Sequence, residues 1–235
     1  MSGDSVGPIV SIEHLTHAWG RGPRVLDVPG FQVEPGESVF LRGPSGSGKS
    51  TLLGLIAGVL TPQAGRISVL GHDMGALRPT ARDRLRADHI GVIFQLFNLL
   101  PYLSVTGNVL LQLRFSPRRR QAAGRDGAAE AKRLLARLGL DDESLLSRPV
   151  AELSVGQQQR VAAARALIGA PALIIADEPT SALDSDARDR FVALLREEVD
   201  RSGASLLFVS HEASLASHFS RAIDLAAINR AWTPA

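Results

Sequence analysis

The chain has 235 residues, of which 45% are hydrophobic and 5% aromatic, enough to bury one substantial core with a smaller lobe attached. Its net charge of +2 does not indicate a nucleic-acid partner, and the absence of cysteine excludes disulfides and thiolate metal sites. We see no secretory segment and no run of about 18 uncharged apolar residues that would span a bilayer, so we expect a protein soluble by itself.

Residues 8–19 and 25–43 alternate apolar and polar side chains with Pro-Gly punctuation, which predicts short antiparallel strands. Val39 to Leu41 then lead into a glycine-rich loop, and residues 50–60 after it have helical spacing. This segment therefore predicts a strand, a loop and a helix in succession. Residues 89–94 predict a further strand that ends at Gln95.

From Leu96 to about Gly169 the pattern changes to helices and loops, with one helix closed by Gly139. The basic run 118–120 in this region, beside a proline, is interpreted as a solvated loop, and contact with nucleic acid or lipid headgroups is the alternative. Continuous apolar runs at 172–176 and 205–209 then predict parallel strands buried on both faces, with a helix between them. The pattern indicates a parallel α/β core interrupted by a helical lobe.

The glycine-rich loop matches the pattern G-x-x-x-x-G-K-[S/T] and lies between a predicted strand and a predicted helix. Its glycines let backbone N–H groups surround phosphate oxygens, and the helix directs its positive end at the same anion. Lys49 adds a charge for the β and γ phosphates, and the Ser50 hydroxyl can ligate Mg²⁺. The alternative is a glycine-rich turn without a ligand. The candidate nucleotide-binding residues are Gly43, Ser45, Gly46, Ser47, Gly48, Lys49, Ser50 and Thr51.

Two acids, Asp177 and Glu178, end the predicted strand 172–176. Neighbouring side chains of a strand point to opposite sides, so the two carboxylates can have different roles. In a nucleoside triphosphatase, Asp177 would hold Mg²⁺ and Glu178 would polarise the attacking water as general base. The alternative is that these acids cap the following helix.

Two further candidates follow strands. Gln95 can reach Mg²⁺ or water through its amide oxygen, and His211 can hydrogen-bond the γ-phosphate and the attacking water. The alternatives are an ordinary loop glutamine and a structural histidine.

The order of these motifs resembles the ATP-binding cassette family over nearly the whole chain. The resemblance includes a signature motif, LSVGQ, at residues 153–157, a D-loop, SALD, at residues 181–184, and Trp19 where the family carries an aromatic residue that stacks on adenine. A core or interface role is the alternative for Trp19. The further nucleotide-binding candidates that the resemblance implies are Trp19, Ser154, Gly156, Gln157 and Asp184.

The resemblance implies an α/β fold of the P-loop NTPase class, with a RecA-like parallel-sheet core, an N-terminal antiparallel β subdomain and an inserted α-helical subdomain. Residues 1–95 and 166–235 would form the nucleotide-binding core, and residues 96–165 the helical subdomain with the signature motif. Such a domain binds ATP and Mg²⁺ and works as a head-to-tail dimer that drives a partner.

In detail, the segments 91–109 and 153–167 resemble the ATPases paired with lipoprotein-release, macrolide-export and cell-division permeases. The expected partners are a permease on a separate chain and a second copy of this chain, without nucleic acid, at the cytoplasmic face of the inner membrane. Gly107 departs from the glutamate usual in that group. The alternatives are an amino-acid-type importer ATPase and a regulatory module that binds ATP without turnover. A DNA-repair type is disfavoured because no sustained heptad occurs.

The signature also departs from the family pattern, because Val155 replaces its usual first glycine. Ser154 and Gln157 fit a capping box, with Ser154 as N-cap and Val155 as the first helical residue. A first-turn residue has negative φ, which valine accepts. An open helix N-terminus binds anions. The atoms that begin this helix would therefore also bind the γ-phosphate held by the phosphate loop of the other subunit.

Overall fold

The computed structural model describes residues 7–233, and within them the chain forms nine strands and eight α-helices. The strands are β1 Val10–Ala18, β2 Arg24–Val33, β3 Ser38–Arg42, β4 Ala64–Val69, β5 His72–Asp73, β6 Ile90–Ile93, β7 Leu173–Asp177, β8 Ser205–Val209 and β9 Arg221–Asp224. The helices are α1 Lys49–Ile56, α2 Pro79–His89, α3 Val105–Phe115, α4 Pro117–Ala122, α5 Gly127–Arg137, α6 Val155–Leu167, α7 Ser185–Ser202 and α8 Leu225–Ile228.

One sheet is antiparallel, with strand order β2-β1-β4-β5. Its central strand β1 buries Val10, Ile12 and Leu15 on one face and leaves Glu13 exposed, as the alternating sequence predicts. The prediction of antiparallel strands is therefore confirmed for β1 and β2. The sequence reading missed β4 and β5, because β4 opens with three exposed residues and β5 has only two residues.

The other sheet is parallel, with strand order β6-β7-β8-β3-β9. Strand β3 pairs in parallel with β8 and β9, so its inclusion among the antiparallel strands was wrong. Residues Ser38 to Leu41 are all buried, which is the pattern of a strand covered on both faces. The parallel strands predicted at 172–176 and 205–209 are confirmed as β7 and β8.

Each face of the parallel sheet borders its own apolar core. In β8, Leu206 and Phe208 point into a core shared with α3, α5, α6 and α7. Leu207 and Val209 point into a second core, shared with α1 and the antiparallel sheet. The sheet therefore holds the helical insertion on one side and the β subdomain on the other, with the phosphate-loop helix α1 packed between the two sheets.

The basic run 118–120 lies in helix α4, so its interpretation as a loop was wrong; Arg118 and Arg120 are exposed, as a solvated run would be, but Arg119 is not. Arg119 is fully buried and donates from Nη1 to the carbonyls of Ala166 and Ile168, at 3.1 and 3.2 Å. These carbonyls end α6, where a cation is favourable. Burial, and then the neighbouring Arg118, lower the pKa of Arg119 to about 10.

Helix α3 begins with half of a capping box. The Ser104 hydroxyl accepts a hydrogen bond from the Gly107 amide at 3.0 Å, but Gly107 has no side chain to return one. Among residues 7–233, no helix combines the length and the apolarity needed to cross a bilayer.

Candidate functional site

The phosphate loop follows β3 and leads directly into α1, as predicted. Gly46 and Gly48 have φ angles of 79° and 96°, a left-handed conformation that glycine adopts without strain. A Cβ on Gly48 would lie 2.7 Å from Leu26 Cδ2, so a larger residue would not fit. Helix α1 has no side-chain cap, which leaves its first amides available to an anion.

Lys49 is folded back over this loop. Its Nζ donates to the carbonyls of Gly43 at 2.8 Å and Pro44 at 3.0 Å, and it lies 3.4 Å from Glu178 Oε1. The side chain is only 8% exposed, so its charge is held inside the site. The loop therefore concentrates positive charge beside its open amides.

Ser50 and Asp177 face each other across the end of β7. Both residues line one cavity. Burial, and secondarily Glu178, raise the pKa of Asp177, while the nearby Ser50 hydroxyl and Lys49 oppose the shift. The buried Ser47 hydroxyl has no hydrogen-bond partner among the described residues. Open amides, a partly desolvated carboxylate and an unpaired hydroxyl fit a magnesium–triphosphate ligand.

Glu178 connects the phosphate loop with the end of β8. Its Oε2 lies 3.3 Å from Nδ1 of His211, which is 54% exposed, while Oε1 faces Lys49. Glu178 has φ of 44°, an uncommon left-handed conformation for a residue with a side chain, and its amide donates to the Val209 carbonyl at 2.9 Å. Backbone strain at such a position often accompanies a functional role.

The acids at the end of β7 do not cap the next helix. The N-cap of α7 is Asp184, whose carboxylate accepts from the Ala187 amide at 2.8 Å. The alternative interpretation of Asp177 and Glu178 as helix caps is therefore excluded. Asp184, a nucleotide candidate by resemblance, has a structural role of its own in this chain.

Trp19 lies at the rim of the site. Trp19, one residue beyond β1, is 55% exposed, so it is not a core tryptophan. It borders a cavity of about 390 Å³ together with Ser50, Thr51 and Asp177. Gln95 is exposed, two residues beyond β6.

The signature residues form a separate cluster at the start of α6. Ser154 and Gln157 make both hydrogen bonds of the predicted capping box, at 3.3 Å to the Ser154 hydroxyl and 2.9 Å to the Gln157 side chain. Val155 is the first helical residue, as predicted, and Gly156 lies against Leu183. The amides of Val155 and Gly156 precede the first intrahelical donor and point out of the helix end.

Sequence reasoning missed Arg165. This residue of α6 is buried and donates to the carbonyls of Phe97 and Asn98, in the loop that follows Gln95. Both loop residues have positive φ, at 59° and 49°, and burial lowers the pKa of Arg165. The signal in the sequence was one charged residue within the apolar run 161–168, but its partners are 67 and 68 residues away.

A phosphate loop between a parallel strand and a helix, with acids ending another strand of the same sheet, defines a P-loop nucleoside triphosphatase. The family model described as ABC transporter matches residues 26–181. The chain belongs to this family and is an ATPase subunit of an ABC transporter.

The relatives agree with this assignment. The lipoprotein-releasing system ATP-binding protein LolD of Anaeromyxobacter dehalogenans is 42% identical, over 93% of this chain and 90% of its own. The macrolide export ATP-binding/permease protein MacB of Sodalis glossinidius is 38% identical over 93% of this chain, which corresponds to 33% of MacB. A dimeric structure of the ATP-binding cassette MJ0796 bound to ADP and Pi has a TM-score of 0.78 and 33% identity, covering 92% of this chain and 93% of its own. The predicted fold class is thereby confirmed.

Proposed function

We propose that this chain dimerises on ATP and drives a separate membrane permease, of the lipoprotein-release or macrolide-export type. The main observation in support of this proposal is a cluster at one edge of the parallel sheet, beside the open N-terminus of α1. It consists of Lys49, Asp177, Glu178 and His211. Residues 1–95 and 166–235 act as the nucleotide-binding core, and residues 96–165 as the helical subdomain.

Nucleotide binding uses the charge and amides of the phosphate loop. Lys49 exchanges its two carbonyl partners for the β and γ phosphates, which offer anionic acceptors in place of neutral ones. The amides at the start of α1 donate to the same phosphates, and Trp19 stacks on the adenine at the rim.

Ser50, Gln95 and Asp177 are the residues that would hold Mg²⁺. When bound there, the ion would supply positive charge against the charge that develops on the phosphate oxygens. The environment of Asp177 supports this role, because a carboxylate whose pKa is raised by burial gains from a nearby cation.

Glu178 acts as the general base and His211 positions it. A base must lie within hydrogen-bond reach of the water it deprotonates, and the contact with His211 Nδ1 orients the carboxylate beside the phosphate loop. When Lys49 moves to the phosphates, its ion pair with Oε1 of Glu178 is broken. Oε1 then faces the attacking water.

Dimerisation completes the site from the other subunit. Ser154, Gly156 and Gln157 offer the open end of α6 to the γ-phosphate held by the partner's loop, while Asp184 lies at the start of α7 beside the signature. The dimeric structure of MJ0796 bound to ADP and Pi supports this arrangement.

A groove between α2, β6, α3 and α4 is the proposed docking surface for the permease. It encloses about 560 Å³ and is lined partly by Phe94 and Phe115, which are exposed, as are Leu96 and Tyr102 nearby along the chain. Exposed apolar clusters of this kind mark interaction surfaces. MacB is named as an ATP-binding/permease protein and this chain corresponds to a third of it, which supports a permease partner at the cytoplasmic face of the inner membrane.

The hydrolytic role is tested by Glu178→Gln. ATP hydrolysis should fall by at least about a hundredfold while ATP binding, measured by calorimetry, is retained, because only the base is lost. Glu212→Gln is the matched control, since Glu212 Oε1 also approaches His211, at 3.6 Å. Hydrolysis that survives in the Glu178 variant, or falls equally in both, removes Glu178 as the base.

The type of transporter is tested by purification from membranes. The proposal expects a permease with a large periplasmic domain to copurify with the tagged chain. A small importer permease in its place would overturn the export assignment and leave the ATPase assignment intact.

A further inference from the structure

His17 is a buried polar ring beside Trp19. It lies near the end of β1 and is only 6% exposed, and neither ring nitrogen has a hydrogen-bond partner among the described residues. The rings of His17 and Trp19 are perpendicular, with centroids 5.4 Å apart. Perpendicular aromatic pairs at this distance attract each other through the positive edge of one ring and the negative face of the other.

His17 also lies on the face of the sheet that meets the phosphate loop. It pairs with Leu26 across β1 and β2, and directly opposed residues of neighbouring strands share a face. The Leu26 side chain closes against the backbone of Gly48. His17 is therefore held between the loop that binds phosphate and the tryptophan at its rim, yet it is too buried to touch a ligand itself.

We propose that His17 is a positioning residue for Trp19, which holds the indole in the orientation that stacks on the base. This inference rests on the proposed stacking role of Trp19. An indole that is 55% exposed has freedom to rotate, and ordering it costs free energy when the nucleotide binds. The fixed His17 ring, packed at right angles to the indole, removes part of that free-energy cost before the nucleotide binds. His17 therefore contributes to affinity for the base, and not to affinity for the phosphates.

The test uses the full chain with Trp232→Phe, which leaves Trp19 as the only tryptophan. Trp19 fluorescence is titrated with ADP and, separately, with pyrophosphate, which lacks the base. His17→Leu should weaken ADP binding by about three- to tenfold and reduce the fluorescence change, while pyrophosphate binding stays within about twofold of wild type. His17→Phe keeps an aromatic ring and should restore both ADP affinity and signal.

The same variants separate this role from a purely structural one. Equal ADP affinity in the Leu and Phe variants would overturn the proposal, and so would a parallel loss of pyrophosphate binding. His17→Gln should behave as His17→Leu does. If glutamine restores ADP binding and phenylalanine does not, a hydrogen bond is responsible and the ring-packing proposal is wrong.

A separate experiment tests the stacking role of Trp19 itself. Trp19→Ala, in the chain that retains Trp232, should weaken ADP but not pyrophosphate in calorimetry. If Trp19→Ala leaves ADP affinity unchanged, the stacking role fails. If it weakens ADP while His17→Leu does not, stacking stands and only the positioning role of His17 is overturned.

Discussion

Two helix N-termini in this chain, those of α1 and α6, are suited to bind the same phosphate, and they differ in how they are capped. Helix α1 follows Gly48 in a left-handed conformation, has no side-chain cap and carries the buried Lys49 as its first residue. Helix α6 is closed by a complete capping box between Ser154 and Gln157 and has no acidic residue in its first turn. The first end is charged and open, and the second is neutral and partly satisfied by its own side chains.

Under the proposed function, this difference explains why the α1 end binds phosphate by itself and the α6 end acts only on a phosphate that a second molecule holds. At α1, amides and an ammonium converge on one point, so a phosphate gains several charge-assisted bonds. At α6, the capping box satisfies the Gln157 amide and leaves chiefly those of Val155 and Gly156. Such an end adds a smaller dipole attraction, on the order of 1 kcal/mol, which is useful only to an anion already held elsewhere.

The largest expected effect is at α1. Lys49→Ala should weaken ATP binding by about a hundredfold or more, because it removes a charge-assisted bond from a buried site. Calorimetric titration with ATP measures it. Lys132→Ala is the matched control, since Lys132 is the other lysine of the chain and pairs with Glu143 on the surface. Unchanged affinity in the Lys49 variant would remove α1 as the primary anion site.

The second-largest expected effect is on ATP-driven dimerisation and comes from the N-terminus of α6. Ser154→Arg should block ATP-driven dimerisation, because a bulky side chain replaces the cap at the exposed helix end, while ATP binding to the monomer stays within about threefold. Light scattering in the presence of ATP measures the dimer, with Ser154→Arg introduced into a chain that also carries Glu178→Gln. Ser144→Arg, on an exposed turn of the same region, controls for the added charge. A dimer that forms normally would contradict the role proposed for α6.

A stability effect is expected at α3, whose capping box is incomplete. Gly107→Glu should raise the free energy of unfolding by about 1 kcal/mol, from reduced chain entropy in the unfolded state and a carboxylate in the first turn. The expected rise in Tm is about 2–4 °C. The Ser104 hydroxyl, 3.0 Å from the added Cβ, has to yield slightly. Gly107→Ala separates the entropy gain from the carboxylate, and a lower Tm in both variants would show that the crowding dominates.

The smallest effect is expected at Val155. Val155→Gly should leave ATPase activity within about threefold and cost about 0.5–1 kcal/mol of stability, because the residue is helical and its side chain is half exposed. ATPase assays and thermal unfolding check both values, with Val155→Ala as control. A large loss of activity in both variants would mean that the valine side chain has a role in the site, and a loss in the glycine variant alone would point to the backbone.

Much of the site was predictable because its parts are local. The phosphate loop, the acids that end β7 and the Ser154–Gln157 capping box depend on neighbours within a few residues, so the order of amino acids defines them. The parallel strands β7 and β8 were predictable for the same reason, since an unbroken apolar run needs burial on both faces.

Other features depend on segments far apart in the chain. The place of β3 in the parallel sheet depends on β8 and β9, and the burial of Arg119 depends on the end of α6, 47 residues away. No local pattern distinguishes an arginine that donates to distant carbonyls from one that remains in water. The basic run was therefore misread, and Arg165 was missed.

The sequence by itself determined which residue types can bind a triphosphate and polarise water, because spacing and residue chemistry carry that information. Only the tertiary structure decided that Glu178 faces Lys49 on one side and His211 on the other. These contacts join ends of separate strands. Their distances are set by the pairing of β3, β7 and β8 and by the packing of the two sheets, which form only when the whole chain folds.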